Sequence, residues 1–170
     1  DSTVNASGPV RVAASDHSSV TSIVTAAALS VSGSSTAAIS GAASVALADN
    51  IQNGSTSAVI EDSDIVAGGA VEVEATNASS VRVVGTAAVL SVAGSGGLSL
   101  SGSGSGAKAS NTLSATTEAL ISGADVDAAG AVTVESDNLS SVDAVVVSAA
   151  LSGAFGSTGA ISFAIAAAVA

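Results

Sequence analysis

The sequence predicts an all-β protein, a β-solenoid built from ungapped 61-residue repeats. Three observations predict it. Segments align without a gap at constant spacing, a period-two alternation runs through them, and the side chains are small enough for closely spaced, regular backbones.

The repeat comes first. GPVRVAASDHSSV starts at Gly8, GAVEVEATNASSV at Gly69 and GAVTVESDNLSSV at Gly130, a spacing of 61 each time. The register holds over the whole chain: Leu29, Leu90 and Leu151 correspond, as do Asn50 and Asn111, Ile60 and Ile121, and Asp64 and Asp125. Asp1 and Ser2 match Asp62 and Ser63. A one-residue slip in a strand sends every side chain to the opposite face, so stacked repeats tolerate no insertion outside corners. The chain therefore reads as one continuous solenoid segment over 1–170. Its copies are 1–7 (partial), 8–68, 69–129 and 130–170 (partial).

Within each copy the clearest strand is Val10, Val12, Ala14, repeated as Val71, Val73, Ala75 and Val132, Val134, Ser136, with Arg11, Glu72 and Thr133 on the alternate parity. Gly68-Gly69 and Ala129-Gly130 precede it as turn signals. A shorter strand is expected just upstream, at Ala58–Ile60 and Ala119–Ile121, with a corner at Ser63-Asp64 and Ala124-Asp125. Downstream, Val81–Val92 and Val142–Leu151 are apolar or tiny on both parities, the pattern of strands buried on both faces. Gly-Ser clusters at Ser32–Ser35, Ala93–Gly97 and Gly153–Ser157 separate the runs. Ala favours helix, but the β-branched content, the interspersed Ser and Gly and the alternating LSLSGSGSG of Leu98–Gly106 oppose it. Four strand-like segments per copy favour two or three coils per copy over one wide coil.

Charged residues are 10% of the chain, against about 25% in a typical globular protein. Phe155 and Phe163 are the only aromatics, and net charge is −11. Arg11, Arg82 and Lys108 are the only cations, too few and too dispersed to bind nucleic acid through its phosphates or to hold an anionic membrane surface. There is no Cys, so no disulfide or thiolate site. The chain opens without Met or a signal peptide, which reads as a mature product or a fragment. No charge falls between His17 and Asp49, between Arg82 and Lys108, or from Ala144 onward, whereas the other half of each copy holds nearly all the acids. Stacking turns this division into an apolar stripe and an acidic stripe. The charge-free Ala144–Ala170 tail is long enough to span a membrane, but its counterparts carry Ser-Gly runs unsuited to a membrane helix.

Candidate sites are sparse. His17 is the only histidine, and its equivalents are Ala78 and Leu139, so no His-based triad or zinc site is within reach. Outward carboxylates on stacked strands can fall at glycosidase-like spacing, but no aromatic sugar platform accompanies them. No catalytic residue and no cofactor is expected. Glu61, Asp62 and Asp64 cluster at a corner as oxygen ligands suited to calcium, yet Glu61 and Asp62 become Ser122 and Gly123 in the next copy, so a solvated acidic face is the favoured reading. Asp16, Asn77 and Asn138 are equivalent and predict a polar ladder at a turn. Asn5, Asn53, Asn77 and Asn138 also sit in Asn-x-Ser sequons.

The stretch Thr56–Val81, TSAVIEDSDIVAGGAVEVEATNASSV, resembles the repeats of large secreted bacterial adhesins, the filamentous haemagglutinin-like and leukotoxin-type filamentous adhesins. The likeness lies in the small residue before an Ile, the Ser-Asp corner, Ala-Gly-Gly, alternating Val and a polar turn. It extends over the chain through the repeats. It implies a right-handed β-solenoid, export across the outer membrane and a stalk or fibre role, and it carries over no functional residue. The expectation is a non-enzymatic structural repeat of an extracellular or cell-surface fibre. Its partner is itself, by end-to-end continuation from Ala170 into another copy and by lateral packing through the charge-free stripe. The alternative is a calcium-binding extracellular β-roll module. An ice-binding array would need more outward Thr than Thr25 and Thr86, and a pilus subunit would not need an ungapped internal repeat.

Overall fold

The computed structural model describes residues 2–170, so the expected match of Asp1 to Asp62 lies outside the described residues. The chain forms β1 (Ser2–Ala6), β2 (Val10–Asp16), β3 (Ser19–Ser34), β4 (Ala37–Glu61), β5 (Ser63–Ala67) and β6 (Val71–Asn77). It continues through β7 (Ser80–Ser95), β8 (Leu98–Ser122), β9 (Asp125–Ala128), β10 (Val132–Asn138), β11 (Ser141–Gly156) and β12 (Gly159–Val169). No helix occurs among the described residues. The Ala-rich Ala26–Leu29 stretch and its equivalents lie in β3, β7 and β11.

The strands form four three-stranded sheets, ordered β1-β5-β9, β10-β6-β2, β11-β7-β3 and β12-β8-β4. Pairing is parallel and joins residues one repeat apart: Val12 and Val134 both pair with Val73, Asp64 pairs with Asp125, and Ile161 pairs with Leu100. This is a β-solenoid. One 61-residue copy makes one coil of four strands, not two or three coils. The division into smaller coils fails because several apparent breaks are not breaks. The short strand expected at Ala58–Ile60 is the end of β4, a 25-residue strand whose inward parity runs from Ala38 to Ile60. The Gly and Ser residues of Leu98–Gly106 lie inside β8 and do not turn the chain.

Glycine does mark corners. Gly123 has φ +61°, and a Cβ there would collide with Asp62 Oδ1. Its equivalent Asp62 is also left-handed, at φ 46°, a conformation Asp tolerates better than most residues. Between β7 and β8, a Cβ on Gly97 would run into Thr36 O of the neighbouring coil.

The chain forms two compact units, each drawing on every copy. The first comprises Asp1–Val20, Ile51–Val81 and Thr112–Val142, and the second Thr21–Asn50, Arg82–Asn111 and Asp143–Ala170. The first has an ordinary aliphatic core: Ala58, Ile60, Ile65, Ala67, Val71, Val73 and Ala75 are buried, with Val10, Val12, Ile121 and Val126 packed against them.

The second unit is built differently. Its interior holds Val83 and Val89 beside Ala46, Ala87 and Ala107, and the buried hydroxyls of Ser40, Ser91, Ser99, Ser101 and Ser105. Ser91 Oγ shares hydrogen bonds of 2.9 Å with both Ser40 Oγ and Ser101 Oγ, and Ser105 Oγ shares one of 2.7 Å with Ser148 Oγ. Direct Ser–Ser contact across the interior requires closely approaching sheets, which leave no room for Leu or Ile. The large apolar residues therefore point outward: Leu29 is 70% exposed, Leu90 38% and Leu151 65%. The expectation that these runs are buried on both faces is corrected accordingly. Within this chain only one parity, that of Val81, Val83, Ala87 and Val89, is buried.

Candidate functional site

Three surface features draw on the residues singled out by sequence: a polar corner ladder, the acidic faces and an apolar outer sheet face. The ladder sits where β2, β6 and β10 end. Asp16, Asn77 and Asn138 are in register. Each bonds to the Ser two residues on, the local turn chemistry that Asx side chains favour. Asn77 Oδ1 accepts from Ser79 N at 3.0 Å and Ser79 Oγ at 2.5 Å, and Asn138 Oδ1 accepts from Ser140 N and Oγ at 3.2 and 2.5 Å. Asp16 Oδ1 accepts from Ser18 Oγ at 2.6 Å, and its other oxygen accepts from Ser79 Oγ of the next coil at 3.3 Å. The Ser18 hydroxyl, assisted by Ser79, holds the Asp16 carboxyl below the usual carboxylate range. A second ladder joins Asn50 Nδ2 to Asn111 Oδ1 at 3.0 Å. Asn77 is 1% exposed, so its sequon offers no accessible amide for a glycan. His17 lies exposed in the turn after β2, outside the repeated hydrogen bonds.

Most of the acidic residues lie on the outward parity of the first unit's strands or at its turns, and Asp49 and Asp143 lie in the second unit. Glu72, Glu74, Thr133 and Glu135 border one depression, and Asp64, Asp125 and Asp127 border another. Arg11 bridges to Glu74 and lies 3.7 Å from Glu72, and the Glu74 carboxylate raises the guanidinium above its ordinary value. None of the acidic residues among the described ones is buried. At the corner weighed as an alternative calcium site, Asp62 and Asp64 border a polar depression with Ser2, Thr3 and Gly123, and Glu61 is not in its lining. Among the described residues no three acidic, His or Cys side chains converge as a ligand set. The carboxylates are solvated on open strand faces.

The third feature lies within the charge-free stripe marked out by the sequence, whose outward Leu column the sequence did not show. On the outward face of β3, β7 and β11, Ala27, Ala88 and Ala149 form one column and Leu29, Leu90 and Leu151 the next. Together they line an open groove of about 460 Å³. The signal was present in the exact recurrence of Ala-x-Leu in all three copies, but only the structure turns it outward. No family model, curated protein or solved structure matches the chain.

Proposed function

We propose that this chain is a structural repeat of a secreted, extracellular or cell-surface fibre, of the kind found in adhesin stalks. On this reading it stacks coil upon coil and catalyses nothing. One observation carries the reading. Val71 and Val73 in the middle coil are 0% and 1% exposed, whereas the equivalent Val132 and Val134 in the last coil are 48% and 47% exposed. These side chains share the inward parity of Val71 and Val73, and a further coil laid on them would bury them in the same way. That coil can come from the same polypeptide or from an abutting one. The backbone supports the same reading, because β9, β10, β11 and β12 each pair on one side and leave a row of donors and acceptors on the other. The likeness of Thr56–Val81 to filamentous adhesin repeats adds the surface location. An open, solvated acidic face with a single unrepeated His supports a scaffold over an enzyme.

Electron microscopy of the concentrated protein tests this. Filaments with an axial spacing of about 4.8 Å between strands are the expected result. Discrete monomers at every concentration would overturn it. Calorimetry with calcium separates the β-roll alternative, which requires a saturable signal of one ion per coil.

A further inference from the structure

The second unit carries a surface that axial stacking does not use. On the outward face of β3, β7 and β11, only two apolar columns keep the same residue in all three coils, the Ala27/Ala88/Ala149 column and the Leu29/Leu90/Leu151 column. Neighbouring columns drift, as in Thr25/Thr86/Val147 and Val31/Ser92/Gly153. The Leu column stands one isopropyl group taller than the Ala column, so the face is a ridge beside a trench, both parallel to the stacking direction. We infer that this face pairs with the same face of a second copy, related by a two-fold axis, with the Leu ridge of each seated in the Ala trench of the other. Ridge and trench on one surface satisfy the requirement of such an interface, that a single patch complement itself.

Charge and area both favour a second copy. The whole net charge of −11 lies in the first unit, where twelve acidic residues face Arg11 alone. In the second unit, Asp49 and Asp143 offset Arg82 and Lys108, leaving zero. Pairing through the second unit therefore brings no net-charged surface into contact. From Ile23 to Gly33 the face is about 36 Å long, and three strands make it about 14 Å wide. Two such faces bury about 1,000 Å² in total, the threshold for a specific interface, and each further coil adds to it. Large exposed apolar patches of this kind mark interaction sites.

The native chain has no Cys, which makes cross-linking clean. Chains carrying A88C are mixed with size-tagged chains carrying L90C and oxidised. The pairing predicts a mixed disulfide dimer well above the level obtained with K108C, which lies on another sheet. L90K, at an outward position where circular dichroism should report an unchanged fold, is expected to weaken pairing in sedimentation roughly a hundredfold. No excess of the 88–90 cross-link, or unchanged association of L90K, overturns the inference. Phosphatidylcholine vesicles that carry the chain on flotation and abolish the cross-link also overturn it, by showing that lipid covers the face. The inference does not depend on axial stacking: absence of filaments with the cross-link intact removes only the fibre reading.

Discussion

Val73 and Val134 occupy equivalent inward positions but differ in cover, which makes Val→Ala at each a sensitive test of the coil geometry. The substitution removes two methyl groups. At Val73, 1% exposed and in register with both Val12 and Val134, the transfer loss is about 1.6 kcal/mol at about 0.8 kcal/mol per group. The closed cavity raises the total to about 2–3 kcal/mol. At Val134, 47% exposed, about half the transfer loss applies and the space opens to solvent, for a total of about 0.8 kcal/mol. Urea unfolding of the dilute protein should show a midpoint shift for V73A about three times that for V134A, at unchanged slope. If coils stack at high concentration, the cost of V134A should rise toward that of V73A. Equal costs in the dilute chain would refute the inward assignment of Val73 against an uncovered last coil.

Other substitutions probe the corners. G123A should cost about 1–2 kcal/mol, from left-handed backbone and from the clash with Asp62; adding D62A should relieve the clash and leave the backbone part. N77A removes the acceptor for Ser79 N and Oγ in a buried corner and should lower stability by about 2–3 kcal/mol in the same urea assay. Asp16 should titrate by NMR below an ordinary carboxylate. Because its folded value is depressed, its contribution is present above about pH 4 and is lost as pH falls through the folded value. D16N should flatten that part of the acid-stability curve.

The sequence held the 61-residue register openly, since Val12, Val73 and Val134 recur without insertion and pair as their spacing implied. It also held the division of each coil: the charge-free stretches follow the second unit closely. The in-register turn of Asp16, Asn77 and Asn138 was legible from their equivalence, but their bonding was not: each bonds to the Ser two residues on and not to its neighbour in the ladder. Coil size was not legible. Gly and Ser serve both as corner residues, as at Gly97, and as strand residues, as in Leu98–Gly106, and composition does not distinguish the two uses. The outward turn of Leu29, Leu90 and Leu151 was also hidden. Placing Leu inside and Ser outside is the usual rule, and it reverses here because sheets close enough for Ser91 to bond Ser101 exclude large side chains.

The central claim is that one 61-residue copy is one coil, and an engineered disulfide tests it most directly. Glu72 and Thr133 face outward on adjacent strands in register. Parallel neighbours lie about 4.8 Å apart, within the Cα separation a disulfide spans. E72C/T133C should therefore close a disulfide on mild oxidation without loss of stability. Two or three coils per copy would separate these positions by about 10–14 Å, beyond reach of a disulfide. Failure of this pair to close, with closure instead between cysteines about 20 or 30 residues apart, would contradict the account.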